Sequence, residues 1–434
     1  MSTSSSELAR RVVEQLAQEQ FEQVEALLAD NLKPFLSAGQ MRTTWQTIAL
    51  QAGDFQQQLA IQTIQTPQAV VEVVTCAFAR TQLDINLAFN TAEQIISLTV
   101  TPVGSVERQA NTTYDAPPYA RPEAFQEQEI QVGTGEWALP GTLSLPVGTG
   151  PFPAVVLVHG SGPADRDETI PPNKPFRDLA WGLASKGIAV LRYEKRTHVY
   201  GDKLVALNAK ITVQEETIED ALLALEVLQK RPEIDQQQLY LLGHSLGGYL
   251  MPRILSAPAA ANVQGAILLA ASARPLEDMI LEQVSYINSL QDNAPAGQQQ
   301  LDVLKQQVAQ VKDPQLSLET PKSSLPFNTP PSYWLDLRGY QPVEIARHQA
   351  QPLLILQADN DYQVTQDDFQ LWQNALKDRT NVTFKRYPGL HHLFMPTEQA
   401  DHKATPASYQ IPGHVSAAVI DDIANWITQP KKPS

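Results

Sequence analysis

The stretch "LYLLGHSLGGYL", residues 239–250, decides how this chain is read. "LYLL" is an apolar run of strand type, "LGGYLMPRIL" reads as a helix, and between them "GHSLG" fits the G-x-S-x-G nucleophile elbow. A turn that lifts a serine out of a strand and straight into a helix crowds its own backbone. Small residues are therefore needed two positions to either side, and Gly243 and Gly247 supply them. The plainer alternative is a glycine-rich turn whose serine caps the next helix. The strand before and the helix after favour Ser245 as a nucleophile.

A serine hydroxyl is a weak nucleophile unless a base takes its proton and an acid orients that base. In folds built on this elbow the chain order is serine, acid, histidine. "LLILQADNDYQV" (353–364) offers Asp359 and Asp361 at the end of an apolar strand. Asp361 is preferred, because a short turn lets it point back under the histidine, while Asp359 would cap the turn. The histidine is sought beyond that strand. His392 in "YPGLHHLF" is the choice and His391 its nearest rival, whereas His402 and His414 are expected to be solvated. Two backbone N–H groups should receive the oxyanion, one from Leu246 and one from Ser161 in "VVLVHGSGPADRD". His159 is then expected to fix that loop. "HGSG" lacks the lysine and hydroxyl of a phosphate loop.

Around these motifs, strands and helices alternate from residue 125 to the end. "PAVVLVHG", "IAVLRYE", "QLYLLG", "GAILLA" and "PLLILQAD" are apolar enough to be covered on both faces, which predicts an α/β fold with a mostly parallel sheet and helices on each side. Residues 273–350 interrupt the alternation with two helical patterns and an aromatic tail, and are read as a cap over the strand ends. Tyr286, Phe327, Tyr333, Trp334 and Tyr340 are its candidate substrate contacts, although aromatics there could equally pack the cap onto the core. Asp165, Arg166 and Asp167, with Asn173, Lys174 and Arg177, read as a salt-bridge network around the oxyanion loop rather than as a polar substrate site.

Residues 1–108 follow a different pattern, three helical segments and then four strand-like runs, which predicts a small α+β domain with a curved antiparallel sheet. Residues 109–124, rich in Pro, Ala, Asn and Thr, are read as a linker. The 434 residues carry 32 Lys plus Arg against 47 Asp plus Glu, with no basic cluster, so neither nucleic acid nor an anionic membrane is an expected partner. The one cysteine, Cys76, lies in an apolar run and is expected to be a buried hydrophobe. Neither a signal peptide nor a membrane span is apparent, so the expected compartment is the cytoplasm.

Taken together, "VVLVHGSGPADRDETIPPNKPFRDLAWGLASKGIAVLRYEKRT", "LLGHSLGGYL", "LILQADNDYQV", "YPGLHHLF" and "PGHVSAAVIDDIANWI" resemble the α/β-hydrolase superfamily. More narrowly, the chain is similar to bacterial serine carboxylesterases with a small N-terminal domain of the cone-shaped, nuclear-transport-factor-like type. The resemblance implies Ser245, Asp361 and His392 as the triad and Ser161 and Leu246 as the oxyanion hole. No cofactor is expected, because an activated serine does acyl transfer unaided, and no metal, because no third ligand stands near His391 and His392 in sequence. Ala358 and His391 depart from the family pattern, which usually has glycine and asparagine there. The expected activity is hydrolysis of short to medium acyl esters through an acyl-enzyme, with the chain length limited by the room under the expected cap. Serine peptidase, thioesterase and acyltransferase activities share the same machinery, and a catalytically silent ligand-binding or dimerisation protein is the alternative of another class. A homodimer is left open.

Overall fold

The computed structural model describes residues 5–429 apart from 30–31, 34–35, 66–69, 104–113, 207–209, 291–294 and 400–401. Two compact units divide the chain, Met1–Tyr114 and Asp115–Ser434.

In the first unit, helices α1 (Ser5–Ala17), α2 (Phe21–Ala26) and α3 (Ala38–Ala52) precede an antiparallel sheet of β1 (Phe55–Gln65), β2 (Val70–Phe78), β3 (Gln82–Phe89) and β4 (Ile95–Pro102), paired in sequence order. Helix α1 places Ala9, Val12, Val13 and Leu16 on one stripe, the three-to-four-residue spacing of an amphipathic helix. That stripe packs against Val74, Cys76, Ile85 and Leu87 of the sheet. Ser37 and Gln40 form a capping box at the start of α3, and Gly53, at φ 81°, ends it. Burial pushes the Cys76 thiol up to about 12, so at neutral pH it is a packing group.

The second unit is an α/β-hydrolase fold. Its eight strands are β5 (Phe125–Val132), β6 (Leu139–Pro146), β7 (Phe152–Val158), β8 (Ala189–Tyr193), β9 (Ile234–His244), β10 (Val263–Leu269), β11 (Leu353–Ala358) and β12 (Val382–Tyr387). They lie in the order β12-β11-β10-β9-β7-β8-β6-β5, parallel from β12 to β8, with β6 and β5 added antiparallel. Because side chains alternate along a strand, each central strand feeds two cores. Ala154, Val156 and Val158 of β7 face helices α5 (Glu219–Gln229), α6 (Leu246–Leu255) and α11 (Gln366–Leu376), while Val155 and Leu157 face α4 (Pro175–Ala184) and α12 (Ala417–Thr428).

Between β10 and β11 the chain forms α7 (Leu276–Ser289), α8 (Pro295–Lys312), α9 (Pro331–Leu337) and α10 (Pro342–Arg347). Trp334 gathers Val311, Leu316 and Leu325 into a small core of its own there. Residues 109–113 of the expected linker lie outside the described residues. The stretch that follows is docked on the second unit: Tyr119 donates its hydroxyl to the Val415 carbonyl (2.8 Å) and the Arg121 N–H reaches Ser185 Oγ (2.8 Å).

Candidate active site

Strand β9 ends at His244 and helix α6 begins at Leu246, so Ser245 alone makes the turn, at φ 51° and ψ −113°. Positive φ is costly for a residue with a Cβ and persists only where the surroundings enforce it. Here they do so by close backbone contact. A Cβ at Gly243 would lie 2.4 Å from the Gly247 carbonyl, and one at Gly247 would lie 2.3 Å from the Val158 carbonyl oxygen. The Ser245 N–H is tied to the Leu269 carbonyl of β10 at 2.9 Å.

Asp361 follows β11 by a two-residue turn. Its Oδ1 accepts the N–H groups of Gln363 (2.7 Å) and Val364 (3.1 Å), which leaves Oδ2 for His392 Nδ1 at 2.6 Å. Both side chains are almost wholly buried. With Nδ1 donating to the carboxylate, a neutral His392 keeps Nε2 as an acceptor. The other acid and the other histidines are engaged elsewhere. Asp359 pairs with Arg386 (2.9 Å). His391 accepts the Leu393 N–H at Nδ1 (3.2 Å), and burial, with His392 beside it, pushes it down to about 4. His402 is exposed. His414, expected to be solvated, instead pairs with Asp178 at 3.0 Å because the approach to α12 folds back over α4. His159 places Nε2 3.0 Å from the Asp165 carbonyl and packs between Phe176 and Tyr193, buried enough to be pushed down to about 4.

Ser245, Leu246 and Ser161 open into one cavity of about 480 Å³, walled by Met279, Ile280, Phe327, Tyr333 and Trp334. Of the five aromatic residues singled out in the sequence, Phe327, Tyr333 and Trp334 therefore reach it, and Tyr286 and Tyr340 do not. Tyr286 stacks on Tyr362 and donates to the Ala404 carbonyl (3.1 Å). Tyr340 is buried edge-on against Tyr249, whose carbonyl accepts its hydroxyl (2.8 Å). Both pin the segment between β10 and β11 to the rest of the second unit, since a phenol buried there needs an acceptor and a main-chain carbonyl is at hand.

Residues 151–400 match the family described as serine aminopeptidase, S33. The chain belongs to this family of serine hydrolases. Residues 9–98 match a domain family described as of unknown function, DUF3887. Over 417 residues the chain is 36% identical to Esterase EstD of Thermotoga maritima, covering 96% of this chain and 94% of that one. Among solved structures, Est1E from Butyrivibrio proteoclasticus covers 69% of this chain and 99% of its own at 15% identity and a TM-score of 0.44. Acylaminoacyl peptidase of Pyrococcus horikoshii covers 78% of this chain and 46% of its own at 14% identity and a TM-score of 0.42.

This member of the family also carries a buried ion pair that the sequence did not disclose. Glu168 takes the Gly160 N–H at Oε1 (2.6 Å) and forms an ion pair with His244 Nδ1 at Oε2 (2.8 Å), while His244 Nε2 meets the His392 carbonyl at 3.0 Å. Burial opposes both charges, and each overcomes it through the other: His244 is held above the ordinary imidazole range and Glu168 below the ordinary carboxylate range. The loop after β7, the elbow and the loop after β12 are thus tied through one pair. Glu168 stood at the end of a charged run and His244 inside the elbow motif, where neighbours in space could not be inferred from neighbours in sequence. The charged run itself is the predicted network. Asp167 pairs with Arg192 (2.9 Å), Lys174 (3.1 Å) and Arg177 (3.1 Å), and Arg166 with Glu129 and Glu194 (2.7 Å each). Asn173 donates to the carbonyls of Tyr409 and Ile411.

Proposed function

We propose that the chain is a serine carboxylesterase in which Ser245 is the nucleophile, His392 the base and Asp361 its orienting acid. The observation that carries this reading is Ser245 held at positive φ on the elbow, with His392 hydrogen-bonded to a fully buried Asp361. Ser245 Oγ attacks the ester carbonyl as His392 Nε2 takes its proton, and the Asp361 carboxylate stabilises the imidazolium. The N–H groups of Leu246 and Ser161 receive the oxyanion. Collapse expels the alcohol, protonated by His392, and water resolves the acyl-enzyme by the same steps in reverse. The full-length relative named an esterase supports ester over amide substrates.

The cavity walls are largely apolar, so each methylene of an acyl chain gains about 0.8 kcal/mol until the chain meets the wall. Short to medium acyl esters in solution are the substrates this favours, in the cytoplasm and without a lipid interface. No helix among the described residues is long and apolar enough to cross a membrane. None of the proposed catalytic residues lies in the first unit, to which we assign a role in supporting the hydrolase without chemistry of its own.

The test is a profile of kcat/KM over aryl esters from acetate to palmitate, with thioester and aminoacyl-amide analogues alongside. The expected result is a rise over the first few carbons and a fall beyond hexanoate, with amides poor. A steady rise into long chains, or turnover only above the solubility limit, would make the enzyme a lipase; preferred amides would make it a peptidase.

A further inference from the structure

Two residues beyond β8, the sequence "YEKRT" buries a lysine beside the proposed oxyanion loop. The Lys195 side chain is 1% exposed. Its Nζ lies 2.8 Å from the Gly160 carbonyl, 2.9 Å from the Gly162 carbonyl and 2.7 Å from Glu216 Oε1. An ammonium has three donors, and all three are engaged. The Lys195 backbone N–H is bound to the same loop, at the Ala164 carbonyl (3.0 Å). Glu216 comes from the π-type turn Gln214–Ile218 ahead of α5, is itself buried, and lines the cavity that holds Ser245.

The geometry bears on catalysis through one peptide plane. The N–H of Ser161 and the C=O of Gly160 belong to the same planar amide and point in opposite directions. A cation bound to that carbonyl fixes the plane and so the direction in which the N–H is presented. It also draws electron density from the amide, which makes the N–H a stronger donor. The plane before it is held by Glu168 on the Gly160 N–H, so the two amides that flank Gly160 are clamped by one anion and one cation. A buried lysine needs a counter-charge, and Glu216 supplies it.

We propose that Lys195, held by Glu216, is a positioning residue that orients and polarises the Ser161 N–H for the oxyanion. This rests on the assignment of Ser161 as an oxyanion donor. Losing one such donor outright costs roughly 10²–10³ in kcat. Loosening it should therefore cost about 30-fold or more, with little effect on ground-state binding.

The test compares Glu216→Gln with Lys195→Met/Glu216→Gln in the full chain, so that the lysine is removed without leaving a buried unpaired carboxylate. Rates are scored per site titrated with a fluorophosphonate, which removes any inactive fraction. The expected result is a fall in kcat of about 30-fold between the two variants with KM within threefold. The inhibition constant of an aryl trifluoromethyl ketone, which forms a hemiketal oxyanion on the serine, should rise by the same factor. That of the methyl ketone of equal chain length should stay within threefold. Unchanged kcat and trifluoromethyl ketone affinity would overturn the proposal. So would equal losses for both ketones, which mark a deformed cavity. If the double variant does not fold, Lys195→Arg is scored in the same way. It keeps a cation beside Glu216 but cannot place donors on both carbonyls from a planar fork, and about tenfold is expected. Fluorophosphonate attached to a residue other than Ser245 would be a failure of the active-site reading, and is seen separately in the titration.

Discussion

At the elbow, main chain meets main chain: a methyl group at Gly247 would lie 2.3 Å from the Val158 carbonyl oxygen, and one at Gly243 would lie 2.4 Å from the Gly247 carbonyl. Between β10 and β11, contact with the same cavity is made by side chains. There Phe327, Tyr333 and Trp334 face the cavity, while Tyr286 and Tyr340, aromatic residues of the same segment, face the protein. Backbone packing at the elbow admits one residue type at a given position. Side-chain packing between β10 and β11 admits several, and which way each points is decided by partners distant in sequence.

The comparison can be broken at its stronger end first. Gly247→Ala should abolish folding or lower kcat by about 10³-fold or more, because no rotamer relieves a clash with main chain. Circular dichroism and turnover per titrated site measure the two effects. A Gly247→Ala enzyme within twofold of wild type in both would remove the case for backbone crowding.

In the segment between β10 and β11, effects should be smaller and of another kind. Tyr333→Leu should raise KM for hexanoate esters about tenfold, a larger effect than its loss of kcat, since the ring walls the cavity. Tyr286→Phe removes only the hydroxyl on the Ala404 carbonyl, and should change kcat/KM less than twofold. Steady-state kinetics on the two variants decide this. A larger change from Tyr286 than from Tyr333 would reverse the placement of the two tyrosines.

The smallest effect concerns stability and pH. Burial pushes His391 down to about 4, against about 6.5 in an unfolded chain, so between these values the unfolded state binds a proton that the folded state refuses. Stability therefore falls as pH falls through that window. His391→Gln should flatten the slope by up to about 1 kcal/mol between pH 6.5 and 5.5. His244 acts in the opposite sense. Its pKa is raised, so its contribution is present below about 6.5 and is lost as pH rises through the folded value. Urea midpoints at pH 7, 6 and 5 for the wild type and His391→Gln measure the difference, and parallel slopes would contradict it.

The same contrast governs what could be read from the sequence. Apolar runs bounded by glycine located the parallel strands, because a strand covered on both faces admits little else, and G-x-S-x-G located the elbow, because the turn itself demands the spacing. Asp361 and His392 are proposed from their positions after β11 and β12, and the structure pairs the two side chains. Glu168, His244, Lys195 and Glu216 could not be singled out in this way. Their pairings join the loops that follow β7 and β8 with the end of β9 and the turn ahead of α5, and a charged residue that is buried against a distant partner looks in sequence like any charge on a surface. Tyr119 and Arg121 were hidden for a related reason: a Pro- and Ala-rich stretch reads as linker, although its few bonding groups find acceptors on the hydrolase unit.

The central claim is that His392, held by Asp361, activates Ser245. It is tested most directly by the rate and position of fluorophosphonate labelling, followed by peptide mass spectrometry, in the wild type, His391→Ala and His392→Ala. The account predicts a single adduct at Ser245 in the wild type and at a comparable rate in His391→Ala, with labelling slowed about 10³-fold or more in His392→Ala. An adduct at Ser161, or a His392→Ala enzyme that labels normally while His391→Ala does not, would contradict it.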